Sequence, residues 1–202
     1  MIAGPSGVGK GTVVRRLLEL APDLYVSVSV TTRRPRPAER DGVEYFFVDD
    51  EGFDRLIAED ELLEWAEIFG HRSGTPARAI RDVRSQGRDA VLEIDVQGAG
   101  IVRRTLPDAV LILLVPPSLD ELERRLRTRA TEDEEKLARR LARAEEEMAQ
   151  GDWFDHVVVN DDLERASSQV AAIIEASRPD PRPDPGQDPR PDPAPDPKDT
   201  SS

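Results

Sequence analysis

The chain has 202 residues, of which 28 are Lys or Arg and 41 are Asp or Glu, so its formal net charge is −13. Such acidity argues against general binding to nucleic acid or to an anionic membrane, and the absence of cysteine excludes a disulfide framework and thiolate catalysis. No apolar run is long enough to cross a bilayer. The sequence shows no secretory signal, and we therefore expect a cytoplasmic protein with one folded domain over residues 1–177.

A glycine-rich turn follows a very short predicted strand at residues 1–3. It reads Gly-Pro-Ser-Gly-Val-Gly-Lys-Gly-Thr over residues 4–12 and leads into a predicted helix with one apolar face. Glycines permit positive φ angles, so backbone N–H groups and the helix dipole can converge on anionic oxygens, and the lysine can follow the β- and γ-phosphates. The pattern predicts a nucleotide phosphate site rather than a helix-capping turn with a stray lysine. The site residues are Gly4, Pro5, Ser6, Gly7, Val8, Gly9, Lys10, Gly11 and Thr12.

Residues 31–82 form a predicted insertion that projects from the sheet. It begins with an arginine and proline stretch in which Arg33 and Arg36 cluster without matching acids, which favours an anion site over a solvated loop. A short aromatic strand at residues 45–48 and a helix from about Glu51 to Leu63 follow. Glu64 then stands either at a surface helix end or in a binding site.

Buried strands and helices alternate in the second half of the chain. Residues 90–95, 110–115 and 156–160 read as strands buried on both faces. Between them, Ser118 opens a helix with capping-box spacing, an apolar stripe runs from Leu137 to Met148, and Asp161 or Asp162 starts the last helix. This alternation predicts a three-layer α/β fold with a mostly parallel sheet.

The last segment, residues 178–202, holds nine of the 17 prolines and no large apolar side chain. Such a composition cannot build a core, because each proline removes a backbone donor and nothing is buried. We expect a disordered, solubilising tail.

Several motifs occur in the order in which guanylate kinases have them, and the chain resembles that family over residues 1 to about 176. Besides the phosphate turn, the motifs are residues 27–36, 42–48, 64–66, 74–75, 93–98 and 159–162. The resemblance implies a P-loop nucleoside monophosphate kinase fold. Its parts would be a core at residues 1–30, 83–126 and 138–177, a GMP-binding insertion at residues 31–82 and a mobile lid at residues 127–137. It also implies an ATP:GMP phosphotransferase of purine metabolism that uses Mg²⁺ and makes ADP and GDP.

The family pattern places GMP on Ser29, Arg33, Arg36, Tyr45, Glu64, Thr75 and Asp95. The chemistry of these side chains agrees. Two arginines and a tyrosine hydroxyl can grip a phosphate dianion. Ionised Glu64 and Asp95 only accept hydrogen bonds, which complements the donors at N1 and N2 of guanine and opposes the acceptor at N1 of adenine. Hydroxyls of Ser29 and Thr75 suit the guanine O6.

The resemblance also implies the transfer machinery. Lys10, Arg125, Arg129 and Arg140 correspond to the cations that close on the phosphates, and the backbone at Asn160 is expected near the adenine of ATP. A purely structural role is the alternative for each group. Pairs at i,i+4 spacing such as Glu121 with Arg125 would merely stabilise exposed helices, and residues 160–162 would only cap the last helix.

Three positions depart from the family pattern. Gly11 replaces the Ser or Thr that touches Mg²⁺, which implies a metal held mainly through water and phosphate oxygens, with Glu93 in its hydration shell. Glu93 itself stands where many relatives have an aspartate. Ser73 replaces a phosphate-contacting tyrosine, so Arg72 or His71 compensates or GMP binding is weaker; His71 alternatively lies in solvent.

Two other functions stay open at this point. A catalytically inactive guanylate-kinase-like scaffold is disfavoured by the intact phosphate turn. A kinase for AMP, suggested because Gly-Lys-Gly-Thr also occurs in adenylate kinases, is disfavoured by Glu64 and Asp95. ATP and GMP are the expected partners, and both a monomer and a homodimer are compatible with the sequence.

Overall fold

The computed structural model describes residues 1–37, 39–129 and 134–178, with the side chain of Arg129 left out. The described residues form nine strands and seven α-helices. The strands are β1 (Ile2–Ala3), β2 (Tyr25–Val26), β3 (Ser29–Thr31), β4 (Tyr45–Phe47), β5 (Leu62–Ile68), β6 (His71–Pro76), β7 (Ala90–Val91), β8 (Ile112–Val115) and β9 (His156–Val159). The helices are α1 (Lys10–Leu20), α2 (Asp50–Ala58), α3 (Ala77–Ser85), α4 (Val96–Thr105), α5 (Leu119–Arg129), α6 (Glu134–Met148) and α7 (Leu163–Ala176).

The central sheet is parallel, with the order β2-β7-β1-β8-β9. The strands β1, β8 and β9 pair in register, as do β2 and β7, and a parallel bridge between Ile2 and Glu93 joins the two groups. Although β1 has only two residues, Ile2 donates to the carbonyl of Leu92 at 2.8 Å and its own carbonyl accepts from Ile94 at 3.2 Å. The short strand therefore lies inside the sheet with neighbours on both sides.

Helices cover both faces of this sheet, because its strands are apolar on both. On one face, Ile112 and Leu114 pack with α1 and α7. On the other, Leu111 and Leu113 pack with α3 and α4. The predicted three-layer α/β fold is confirmed, and the turn after β1 lies at the carboxyl edge of the sheet, where parallel α/β folds bind nucleotides.

The predicted insertion contains a second, mixed sheet of order β4-β3-β6-β5. The predicted helix over residues 51–63 is wrong at its C-terminal end: α2 stops at Ala58, and β5 begins at Leu62. Asp60 takes a left-handed conformation with φ of 53°, which breaks the helix, and the residues from Leu62 onward pair with β6 instead. Glu64 consequently lies in a strand and not at a helix end.

A pair of helices, α5 and α6, follows β8. The Ser118 hydroxyl accepts from the backbone N–H of Glu121 at 3.1 Å, which confirms the predicted start of α5. Leu122 and Leu126 of α5 pack against Leu137 and Ala144 of α6. The expected lid covers the helical ends 127–129 and 134–137, and its middle, like the expected disordered tail beyond Arg178, lies outside the described residues. No helix in the described part of the chain has the length and apolar character needed to span a membrane.

Candidate functional site

A cleft with a volume of about 290 Å³ separates the glycine-rich turn from the mixed sheet. It brings together most of the residues that the sequence singles out. Its lining includes Gly4, Ser6, Gly7, Gly9, Lys10, Gly11, Ser29, Arg33, Arg36, Tyr45, Glu64, Glu93, Asp95 and Arg140. Residues from six separate stretches of chain thus converge on one space.

Gly4 and Gly9 are two positions of the glycine-rich turn at which the backbone accommodates only glycine. Gly4 has φ of 151°, and a Cβ there would lie 2.2 Å from the carbonyl oxygen of Leu114. Gly9, the N-cap of α1, has φ of 102°, and a Cβ there would lie 2.6 Å from Nδ2 of Asn160. Lys10 follows, and its Nζ donates to the carbonyl of Gly4 at 2.6 Å. The ammonium group is therefore folded back over the turn.

The turn is fixed from behind by two side chains. Asn160 Nδ2 donates to the carbonyl of Val8 at 2.8 Å, and Arg125 Nη1 donates to the same oxygen at 3.1 Å. Arg125 Nη2 also donates to the carbonyl of Asn160 at 2.9 Å. Sequence reasoning missed this role of the Asn160 side chain. The alternative that residues 160–162 cap α7 holds for Asp162, whose carboxylate accepts from the N–H of Arg165 at 2.9 Å.

A second cavity, of about 330 Å³, lies on the other side of the turn. Thr12, Arg125, Asn160 and Asp161 line it together with Gly7 and Gly9. Of the expected phosphate residues, Pro5 and Val8 are buried, so only their backbone can serve a ligand.

Glu64 is the most deeply buried acid of the cleft, with 5% of its surface exposed. Its Oε1 accepts from the Thr75 hydroxyl at 2.7 Å. Burial raises the pKa of Glu64 to about 7, and the nearby carboxylate of Asp95 adds to the rise. Asp95 is the N-cap of α4, where its Oδ1 accepts from the N–H of Gly98 at 2.8 Å. Two carboxylates therefore share one partly desolvated corner.

That pKa predicts a pH dependence. A base with N–H donors needs the ionised carboxylate, so kcat/KM for such a substrate should fall as the pH drops below about 7, by about tenfold per unit. The measurement is kcat/KM from pH 5.5 to 8, since this parameter reports on the free enzyme. A substrate phosphate also titrates near pH 6. Glu64→Gln is the control: it should lose the inflection due to Glu64, and a profile identical to that of the parent would contradict the assignment.

Gly98 is a site residue that sequence reasoning missed. A Cβ on Gly98 would lie 2.5 Å from Oε2 of Glu64. Because Glu64 is buried and bonded to Thr75, Gly98→Ala should push the carboxylate out of place and raise the KM of the base-bearing substrate by about tenfold, the cost of a misplaced contact in a preorganised site. Gly100→Ala on the same helix meets nothing within 4 Å and is the matched control. Equal KM values in the two variants would exclude this role.

Arg33 and Arg36 of the insertion share an acidic partner, Glu39. Arg33 donates through both terminal nitrogens to Glu39, each at 2.9 Å, and the backbone N–H of Arg36 donates to the same carboxylate at 2.8 Å. The prediction that these arginines lack a matching acid is therefore wrong, because the carboxylate of Glu39, three residues after Arg36, accepts from both of them. The guanidinium of Arg33 also lies 5.3 Å from the ring centroid of Tyr45. Burial raises the pKa of that phenol, which keeps its proton available for donation.

Arg72, Ser73 and His71 lie where the family pattern has a phosphate-contacting tyrosine, and they do not all line the cleft. Arg72 points away from the cleft, where it pairs with Asp50 at 2.8 Å and with Asp54 at 2.5 Å. It therefore cannot compensate for the missing tyrosine in this conformation. Ser73 and His71 line the cleft, and the Ser73 hydroxyl donates to the Thr31 hydroxyl at 2.9 Å.

Arginines of α5 and α6 pair locally. The alternative that such pairs merely stabilise exposed helices holds for Arg127 and Arg139, but not for Arg125, which also binds the carbonyls of Val8 and Asn160. The i,i+4 pairs join Glu121 to Arg125, Glu123 to Arg127 and Glu135 to Arg139. Arg140 lines the cleft. Arg143 and Glu147 also line it, paired at 2.7 Å, and sequence reasoning gave neither a place there.

Glu93 lies beside the start of α1. A Cβ on Gly11 would be 3.4 Å from Oε2 of Glu93, so the carboxylate occupies space next to the position where a hydroxyl residue commonly stands. The described residues contain no group of three or more His, Asp or Glu side chains placed to hold a metal. A metal here would depend on one carboxylate and on oxygens from ligands and water.

Comparisons with known proteins agree with this geometry. The sequence model of the family described as guanylate kinase matches residues 1–177. Guanylate kinases of Carboxydothermus hydrogenoformans and Streptomyces kasugaensis are 43% and 51% identical to the chain over 178 and 174 residues, covering 88% and 86% of this chain and 87% and 85% of those proteins. The crystal structure of guanylate kinase from Anaplasma phagocytophilum has a TM-score of 0.74 at 34% identity, covering 88% of this chain and 84% of that one.

Proposed function

The chain belongs to the guanylate kinase family, and from this we propose that the cleft is where it transfers the terminal phosphoryl group of ATP to GMP. It is an ATP-dependent nucleoside monophosphate kinase that makes ADP and GDP. We further propose that residues 31–82 are the GMP-binding part and residues 127–137 a lid, on a core formed by residues 1–30, 83–126 and 138–177. A cytoplasmic location, where both nucleotides occur, is part of the same proposal.

The observation that carries the proposal is the buried corner formed by Glu64, Thr75 and Asp95, which we call the base corner. The carboxylates of Glu64 and Asp95 both line the cleft, and the Thr75 hydroxyl donates to Glu64 and holds it in place. Guanine offers donors at N1 and N2 to such acceptors, whereas adenine offers an acceptor at N1 and would leave a buried carboxylate unpaired. A site built on buried hydrogen bonds can reject the wrong base by about 10⁴-fold. Ser29, at the start of β3, lines the same cleft, and we propose that its hydroxyl contacts guanine O6.

The GMP phosphate fits at Arg33, Arg36 and Tyr45. Glu39 holds the Arg33 guanidinium and the backbone of Arg36, so one carboxylate positions both arginines at the cleft. The side chain of Arg36 is 66% exposed and its ion pair with Glu39 is long, at 3.8 Å, so it can swing onto an anion. Each arginine can then donate bidentately to a phosphate dianion.

Phosphoryl transfer needs positioning and charge neutralisation, because negative charge spreads over the oxygens of the group in flight. The backbone N–H groups of the glycine-rich turn and the ammonium of Lys10 would hold the β- and γ-phosphates of ATP. Arg140 reaches the cleft from α6, and Arg129 is proposed to close on the phosphates from the end of α5. Arg125 holds the turn at Val8 and Asn160, so its part in catalysis is to keep the phosphate cradle in place. The second cavity, beside Asn160, is proposed to take the adenosine of ATP.

Mg²⁺ fits the chemistry of this site. The carboxylate of Glu93 is a hard oxygen ligand next to Gly11, and Mg²⁺ prefers one or two carboxylates together with water and phosphate oxygens. When bound, the ion would neutralise charge between the transferred and remaining phosphates. Glu93 would hold it through water, while Lys10 and Arg140 act on the phosphates directly.

The test is a coupled assay of ADP release with GMP, dGMP, AMP, UMP and CMP. We expect turnover with GMP and, at lower efficiency, dGMP, and kcat/KM for AMP lower by at least about 10³-fold because of the base corner. Preference for AMP would refute the base assignment. No turnover with any nucleotide would favour the inactive scaffold.

A further inference from the structure

The tip of the β5–β6 hairpin carries an exposed aromatic residue, Phe69, to which the proposed function gives no role. Phe69 and Gly70 form the two-residue turn, with φ of 52° and 77°. Such turns favour Asn-Gly, and a bulky residue with positive φ is uncommon. Phe69 is nevertheless 45% exposed, so burial in a core does not explain an aromatic residue at this position.

The ring contacts the helix on the other side of the cleft. The guanidinium carbons of Arg140 and Arg143 lie 5.5 Å and 5.3 Å from its centroid, within cation–π range. The two arginines are one turn apart on α6, and Arg143 is held in place by Glu147, which is 7% exposed. Phe69 is thus in contact with two arginines that line the cleft, and Glu147 anchors one of them, Arg143.

This contact links two parts of the molecule that have separate cores. The buried apolar residues of α6, Leu137 and Ala144, pack on α5. The hairpin belongs to the mixed sheet that carries Glu64 and Thr75. Because Phe69 connects that sheet to α6, a change in the position of the hairpin would also shift the side chain of Arg140.

We propose that Phe69 is a positioning residue: its ring holds Arg140 over the cleft and couples the GMP-binding sheet to phosphoryl transfer. The inference rests on the proposed function, since it requires Arg140 to act on the phosphates. Phe69 also lines the cleft, and its proposed effect on the phosphates acts through Arg140. Its effect appears in kcat, because Arg140 is needed in the transition state, whereas the base corner that sets GMP affinity stays intact.

The experiment compares Phe69→Leu with Phe69→Tyr in steady-state kinetics at saturating ATP. Leu keeps the bulk and removes the π face, so we expect kcat to fall about tenfold, the size of a lost cation–π contact, with KM for GMP changed by less than about threefold. Tyr keeps the π face and should retain kcat within about twofold. Phe69→Asn, which suits the turn backbone, should lose as much kcat as Leu. If Asn retained full kcat, the turn conformation and not the ring would be responsible, and the proposal would fail.

A double-mutant cycle with Arg140→Ala separates this inference from the proposed function. If the ring acts through Arg140, adding Phe69→Leu to Arg140→Ala should lower kcat no further. A further fall of about tenfold would overturn the positioning role. Arg140→Ala with unchanged kcat would instead contradict the proposed role of Arg140 itself, and with it the inference. Arg139→Ala, which removes an exposed neighbouring charge of the same helix, is the control and should leave kcat unchanged.

Discussion

Lys10→Ala is expected to lower kcat/KM for GMP phosphorylation by at least about 10²-fold, the scale on which a preorganised charge contact contributes to a transition state. The ammonium already lies over the turn, 2.6 Å from the carbonyl of Gly4, so little reorganisation is needed when charge builds on the phosphates. The fold should persist, because the core around α1 is made by Val13, Val14 and Leu17. The coupled ADP assay measures the loss, and the thermal midpoint checks the fold.

Arg15→Ala is the matched control for that variant. Arg15 lies on the same helix, is exposed and lines neither cavity, so its loss removes the same charge from α1 without touching the phosphates. We expect kcat/KM within about twofold of the parent, as for most surface substitutions. Equal losses in the two variants would mean that net charge, and not the position of Lys10, sets the rate.

Glu64→Gln is expected to lower kcat/KM for GMP by about 10²-fold and to raise it for AMP, so that base discrimination collapses. A glutamine that keeps its oxygen toward Thr75 turns its N–H donors toward the base. These glutamine donors oppose the N–H donors of guanine, but they suit the N1 acceptor of adenine. Stability should not suffer, because the substitution removes a carboxylate whose burial raises its pKa to about 7. Parallel kinetics with GMP and AMP measure the effect.

Glu67→Gln supplies the comparison for the base corner. Glu67 lies three residues further along β5 and is exposed, outside the cleft. Discrimination between GMP and AMP should stay at the parent value in this variant. If Glu64→Gln also left discrimination unaltered, recognition of guanine would have to reside elsewhere.

The parts of the site that could be predicted from the sequence are those with local causes. The glycine-rich turn is one, because Gly4 and Gly9 are required by the backbone conformation of that segment itself. The capped start of α5 is another, since Ser118 and Glu121 are neighbours in the chain. The residues of the insertion were placed by resemblance, and Arg33, Tyr45 and Glu64 do line one cleft.

What could not be predicted depends on contacts between distant residues or on tight turns. The bond from Asn160 to Val8 joins residues 152 positions apart, and nothing local signals it. Gly98 matters only because Glu64, on another element, comes within 2.5 Å of its missing Cβ. The wrong helix end near Leu62 has the same origin, because pairing with β6 overrides the local helical pattern.

A crystal structure of the chain with bound GMP is the most direct test of guanine recognition by Glu64 and Asp95. We expect the two carboxylates to lie within about 3.2 Å of guanine N1 and N2, with the GMP phosphate at Arg33, Arg36 and Tyr45. A guanine ring bound elsewhere, or one in contact with neither carboxylate, would show that these acids do not recognise the base.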